Sequence, residues 1–196
     1  MGSSTTTRNF GIRRFTNLVR EGRFRAPAAA DLMLGTGVEL DPATATDDPQ
    51  SVRAIDGGGP NDIGGTGILG LVGVLWYEHD SQTYVGAPAG SLVQDFNLAP
   101  RGRMVQVLRG PGAKVWFRNT EADTTESGLN FPASRDEVVM VEDLGFHGTN
   151  DLAVDDLLGW DAGNSRWGIT AVLAEALMRV TYVDHTINTC DAELLL

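Results

Sequence analysis

Apolar and polar positions alternate over most of the chain's readable segments, the mark of half-buried strands. Met104-Val105-Gln106-Val107-Leu108 alternates. Arg109-Gly110-Pro111-Gly112-Ala113 follows as a tight turn, and Lys114-Val115-Trp116-Phe117-Arg118 resumes the run. Together they predict a hairpin. Leu157-Leu158-Gly159-Trp160-Asp161 and Arg166-Trp167-Gly168-Ile169-Thr170 flank Ala162-Gly163-Asn164-Ser165 and predict a second. The stretch 31–40 reads as a strand with a turn, and 51–55 and 138–141 as short strands. The apolar run 67–77 reads as a central strand, because its glycines disfavour a helix. Residues 177–183 and 190–195 predict a closing strand pair. The stretch 169–180 fits a helix by its spacing of Ile169, Val172, Leu173, Ala176, Leu177 and Val180, and a strand by its continuation. Near the N-terminus, Phe15, Leu18 and Val19 fall on one side of a short amphipathic helix over Arg13–Arg20.

Between these runs lie turn and loop segments. Ala26-Pro27-Ala28-Ala29-Ala30 reads as a linker, and 41–50 is acidic and contains prolines. Residues 56–62, 88–92, 99–103 and 120–132 carry further Gly, Pro and polar clusters. The reading is a mainly β fold. At 196 residues with 42% hydrophobic content, the chain is long enough for one domain with its own core. One cysteine, Cys190, excludes an internal disulfide, and the residue reads as a buried small hydrophobe. No apolar stretch is long enough to span a bilayer as a helix, and the arginine-containing start is followed by no apolar run of a secretory leader.

Charge divides the chain. Net charge is −11. Residues 1–25 hold six arginines against Glu21, for +5, and the remainder holds nine basic and 25 acidic groups, for −16. An acidic body repels nucleic acid and anionic membrane, so neither is an expected partner. A basic segment with three phenylalanines needs a surface to cover. It reads as an arm, 1–25, ahead of a β-rich body, 26–196.

Motifs for catalysis are missing. His79, His147 and His185 lie outside any zinc or hydrolase spacing and read as structural. The glycines of 57–67 lack the Lys of a phosphate loop, and Lys114 is the chain's only lysine. Asp47-Asp48, Glu142-Asp143 and Asp155-Asp156 have no calcium-loop spacing and read as solvated surface. Trp76, Trp116, Trp160 and Trp167 each fall in a predicted strand, as core or subunit-interface candidates. The expectation is a chain with no catalytic residues, no metal and no cofactor.

Three segments carry a resemblance: Asp31-Leu32-Met33-Leu34-Gly35-Thr36, Ser51-Val52-Arg53-Ala54-Ile55-Asp56-Gly57 and Gly67-Ile68-Leu69-Gly70-Leu71-Val72. Their order and spacing resemble the lambda-type phage head decoration proteins, with Val115-Trp116-Phe117-Arg118 filling the next hairpin. The likeness covers roughly a third of the chain, which is much longer than the small family members. It implies a small β-barrel of the β-tulip kind, here 26–118, with additional strands and loops over 119–196. It also implies a homotrimer on the outer surface of the virion head, bound to the major capsid protein of an HK97-like shell at three-fold and quasi-three-fold positions. Such proteins bind after shell expansion, and in relatives the N-terminal arm orders on the capsid. Arg8, Phe10, Ile12, Arg13, Arg14 and Phe15 are the capsid-binding candidates on that reading. A tail-tube or head-fibre subunit is the alternative.

Overall fold

The computed structural model describes residues 10–14, 17–29, 32–56, 72–77, 98–99, 101–119, 141 and 152–196. Within them the chain is mainly β, in antiparallel ladders. The strands are β1 (Phe10–Arg14), β2 (Val19–Arg25), β3 (Leu32–Met33), β4 (Gly37–Leu40), β5 (Val52–Ala54), β6 (Val72–Trp76), β7 (Leu98–Ala99), β8 (Met104–Arg109), β9 (Lys114–Arg118), β10 (Leu157–Asp161), β11 (Arg166–Ile169), β12 (Met178–Asp184) and β13 (Thr189–Leu194). A six-stranded sheet has the order β1-β9-β13-β12-β10-β11 and a five-stranded sheet the order β2-β8-β6-β4-β5, while β3 pairs with β7.

The clearest predicted hairpin does not form. β8 and β9 belong to different sheets, and the turn between them carries the chain from one to the other. Each strand pairs instead with the N-terminal segment, β9 with β1 and β8 with β2. The β1–β2 connection crosses at the same place. Asn17, at φ 60°, donates its side-chain amide to the Pro111 carbonyl at 3.2 Å. Gly110, at φ +118°, passes so close to the Asn17 backbone that no Cβ fits there. The expected helix over 13–20 does not form: Arg13 and Arg14 end β1, Asn17 lies in a turn and Val19 and Arg20 open β2. Its apolar spacing is real, but the hydrogen-bonding edges of β8 and β9 outweigh a weak local preference.

This also corrects the reading of 1–25 as an arm apart from the body. Residues 10–25 supply an edge strand to each sheet, and Phe10 is 2% exposed. Arm residues 1–9 and 15–16 lie outside the described residues, as do 31, 67–71 and 138–140 of the predicted strands.

The predicted β10–β11 hairpin forms, with Trp160 opposite Trp167, and so does the closing pair β12–β13. The ambiguous 169–180 stretch resolves into the end of β11, a 3-10 turn over Leu173–Glu175 and the start of β12. Period-two burial is plain in β13, where Cys190, Ala192 and Leu194 are buried and the residues between them half-buried. All five residues of β6 are buried, as the apolar run suggested.

A chain of aromatic rings fills the space between the sheets. Trp76 meets Phe10 at 5.9 Å between centroids, Phe10 meets Phe117 at 5.0 Å, Phe117 meets Trp167 at 6.2 Å, and Trp167 meets Trp160 at 5.2 Å. The segment between β3 and β4 lies against these rings. A Cβ on Gly35 or Gly37 would come within 2.9 Å of Phe10 or Trp160, so glycine is what lets backbone and ring approach. The buried Trp167 Nε1–H donates to the Gly35 carbonyl at 2.8 Å, which fixes this contact in register.

The five-stranded sheet also curls. Its two edge strands, β2 and β5, approach each other at one end, where Arg25 bridges Ser51 and the Arg25 N–H donates to the Gln50 carbonyl at 3.0 Å.

Candidate interaction surfaces

The structure separates the residues singled out from the sequence. Trp160 and Trp167 are fully buried and Trp76 nearly so, which makes all three core residues. Trp116 is half-buried and faces away from Val115 and Phe117, on the outer side of the six-stranded sheet. It lies over Gly11, where an added Cβ would fall 2.4 Å from the indole Nε1. Of the arm candidates, Phe10 is core and Ile12 is half-buried opposite Val115. Phe10 is therefore taken up inside the protein and is not a free capsid contact. Arg14 stands opposite Lys114 in the ladder. Arg8 and Phe15 lie outside the described residues.

Arg13 is exposed and held twice. Its Nε donates to Asp191 Oδ1 at 3.0 Å, and its guanidinium sits 5.4 Å from the centroid of the Trp116 ring. Strand register explains the meeting. Gly11, Trp116, Asp191 and Tyr182 form one row across β1, β9, β13 and β12. The neighbouring row places Lys114, Glu193 and Arg179 side by side, and Arg179 pairs with Glu193 at 3.6 Å. The outer face of this sheet thus combines Trp116, a half-exposed Tyr182 and opposed charges. Asp191 and Tyr182 were not singled out from the sequence. The period-two pattern of 189–194 places Asp191 outward, but its pairing with Arg13, 178 positions away, is set by topology alone.

The remaining polar groups hold turns. His185 Nε2 lies 2.9 Å from the Leu152 carbonyl, and Asp156 accepts from the Ala153 N–H at 2.8 Å. Thr170 donates to the buried Glu175 carboxylate at 2.7 Å, closing the segment between β11 and β12. Burial pushes the Cys190 thiol well above its ordinary range, and the adjacent Asp191 charge adds to the shift, so the residue is held as a neutral thiol. Among the described residues no group of His, Cys, Asp or Glu is placed to hold a metal ion. His79, His147, Glu142-Asp143 and the glycines of 57–67 lie outside the described residues.

No protein-family model, curated protein or solved structure matches this chain.

Proposed function

We propose that this chain is a phage head decoration protein, binding as a homotrimer to the outer surface of an expanded HK97-like shell through the major capsid protein. The observation that supports the reading best is where the resembling segments fall. Leu32–Met33 forms β3, Val52–Ala54 forms β5, and Val72 opens β6. β5 and β6 flank β4 in one sheet, so two of the three segments meet there, while β3 pairs with β7 in a separate ladder. The approach of β2 to β5 at Arg25 and Ser51 supports the small-barrel part of the same reading.

The chain's physics agrees with a role as a coat. With residues 10–25 counted in it, the body holds 14 basic and 26 acidic groups, for −12, which still disfavours nucleic acid, and many weak contacts around a shell act together. Because residues 10–25 build the sheets, the arm is shortened to the residues ahead of Phe10, including Arg8. Removing 1–25 would strip an edge strand from each sheet; removing 1–9 is the proper test. Full-length and 1–9-deleted protein are to be co-sedimented with expanded and unexpanded shells. The full chain is expected to saturate expanded shells only. The deletion should bind about tenfold or more weakly, because the loss repeats at every site, while its unfolding transition stays unchanged. Equal binding of the full chain to both shell forms, or to neither, would overturn the proposal. Rings or tubes formed by the protein alone would favour a tail-tube subunit instead.

A further inference from the structure

The outer side of the six-stranded sheet holds two aromatic rings in one line. Trp116 of β9 stands opposite Asp191 of β13, which stands opposite Tyr182 of β12. The backbone positions of the two aromatic residues are thus two strand spacings apart, about 10 Å. Tyr182 is 50% exposed. The indole of Trp116 leans over Gly11, where a side chain would collide with it. Arg13 flanks this indole: its guanidinium lies 5.4 Å from the ring centroid, beyond flat-stacking contact at about 4 Å.

Between the rings, Asp191 Oδ1 accepts from Arg13 Nε at 3.0 Å. The ion pair fixes a carboxylate and a guanidinium in place while both stay partly open to water. A row borders the rings on each side, Arg118, Thr189 and Asp184 on one and Lys114, Glu193 and Arg179 on the other. In these three rows β9, β13 and β12 carry three basic groups, three acidic groups, two aromatic rings and a threonine, and no aliphatic side chain. The charges cancel, on a chain whose net charge is −11.

This chemistry selects a class of ligand. A protein interface is centred on packed apolar side chains, which the rows lack. A polyanion gains nothing from a balanced face and is repelled by the rest of the chain. A pyranose suits it. The C–H face of the sugar is apolar and slightly positive, matching the negative face of an aromatic ring. Its hydroxyls exchange charge-assisted hydrogen bonds with a carboxylate and a guanidinium. We propose that the Trp116–Asp191–Tyr182 row binds an uncharged polysaccharide of β-linked, glucose-type sugars laid across the strands. One sugar sits on each ring, and at least one more lies between them over Asp191 and Arg13. An extended β-linked chain presents C–H faces and hydroxyl edges like a ribbon and lies flat on an open sheet, whereas an α-linked chain coils away from it. No shell takes part, so this binding stands or falls independently of decoration.

Isothermal titration calorimetry of the full chain with cellohexaose, chitohexaose and α-linked maltohexaose tests the site. At least one β-linked hexaose should bind with a Kd of about 1 mM or tighter, and a preference between the two shows whether an acetamido group is read. The matching disaccharide cannot reach both rings and should bind about tenfold or more weakly. Y182A should weaken hexaose binding about fivefold or more with an unchanged unfolding transition, while Y182F keeps the ring and should stay within about twofold of the parent. A second readout needs no substitution at the site: in the parent, the Trp116 indole N–H resonance should shift on titration while those of the buried Trp160 and Trp167 stay in place. No binding of either β-linked hexaose, equal binding of maltohexaose, a folded Y182A that binds like the parent, or an unmoved Trp116 resonance would each overturn the site.

Discussion

Replacing Phe10 by alanine separates a woven N-terminal segment from a dangling one. Phe10 is 2% exposed, with Phe117 at 5.0 Å and Trp76 at 5.9 Å, and Gly35 beneath it offers no side chain to fill a void. Truncating a buried phenylalanine costs about 3–5 kcal/mol, as lost transfer free energy plus a cavity that collapses only partly. The rigid aromatic neighbours and the glycine floor limit collapse, which places the cost near 4 kcal/mol. With a urea m-value of about 2 kcal/mol/M for a chain of this size, the unfolding midpoint should fall by about 2 M. Tryptophan fluorescence is the natural readout, since Trp76 and Trp167 lie within one ring of the perturbation. Arg13→Ala is the matched control three residues away. Its ion pair is half-exposed, and exposed pairs contribute under about 1 kcal/mol. If F10A unfolds within about 0.5 kcal/mol of the parent and with the same m, Phe10 is not in the core and residues 10–25 are an arm after all.

Two further predictions concern the packing between the sheets and the lone thiol. Gly37→Ala places a methyl 2.9 Å from the Trp160 ring and should cost about 1–3 kcal/mol by overpacking, visible as a changed near-ultraviolet tryptophan dichroism. A parent-like spectrum and stability would contradict the close approach. Cys190, raised by burial, should resist thiol reagents in the native state and react at the rate of unfolding. Because its folded value lies above its unfolded one, the linked stability is fully present below the ordinary thiol range and declines as pH rises through it. Rapid native labelling at pH 8 would contradict the burial.

What the sequence made legible was local. The β10–β11 hairpin could be read because its turn and both flanking runs are contiguous, and three of the four tryptophans lie in the core as their strand positions suggested. The 104–118 segment had equally clear strands and an equally clear turn, yet its partners were unreadable. A crossing between sheets and a hairpin share the same alternation and the same Gly-Pro-Gly chemistry. Distant strands decide between them: β1 and β13 flank β9, β2 and β6 flank β8, and β1 and β2 pair 79 or more residues away. The same cause hid the outer row of Gly11, Trp116, Asp191 and Tyr182, which is made by register between strands far apart in sequence. The basic N-terminus was legible as unusual, but its basicity did not reveal that the backbone there completes two sheets.

Imaging of saturated heads tests the central functional claim most directly. Expanded shells mixed with an excess of the chain and reconstructed by electron cryomicroscopy should carry added outer density at three-fold and quasi-three-fold positions, shaped as three copies of the two-sheet body. Expanded shells that remain bare, or density at other positions, would contradict it.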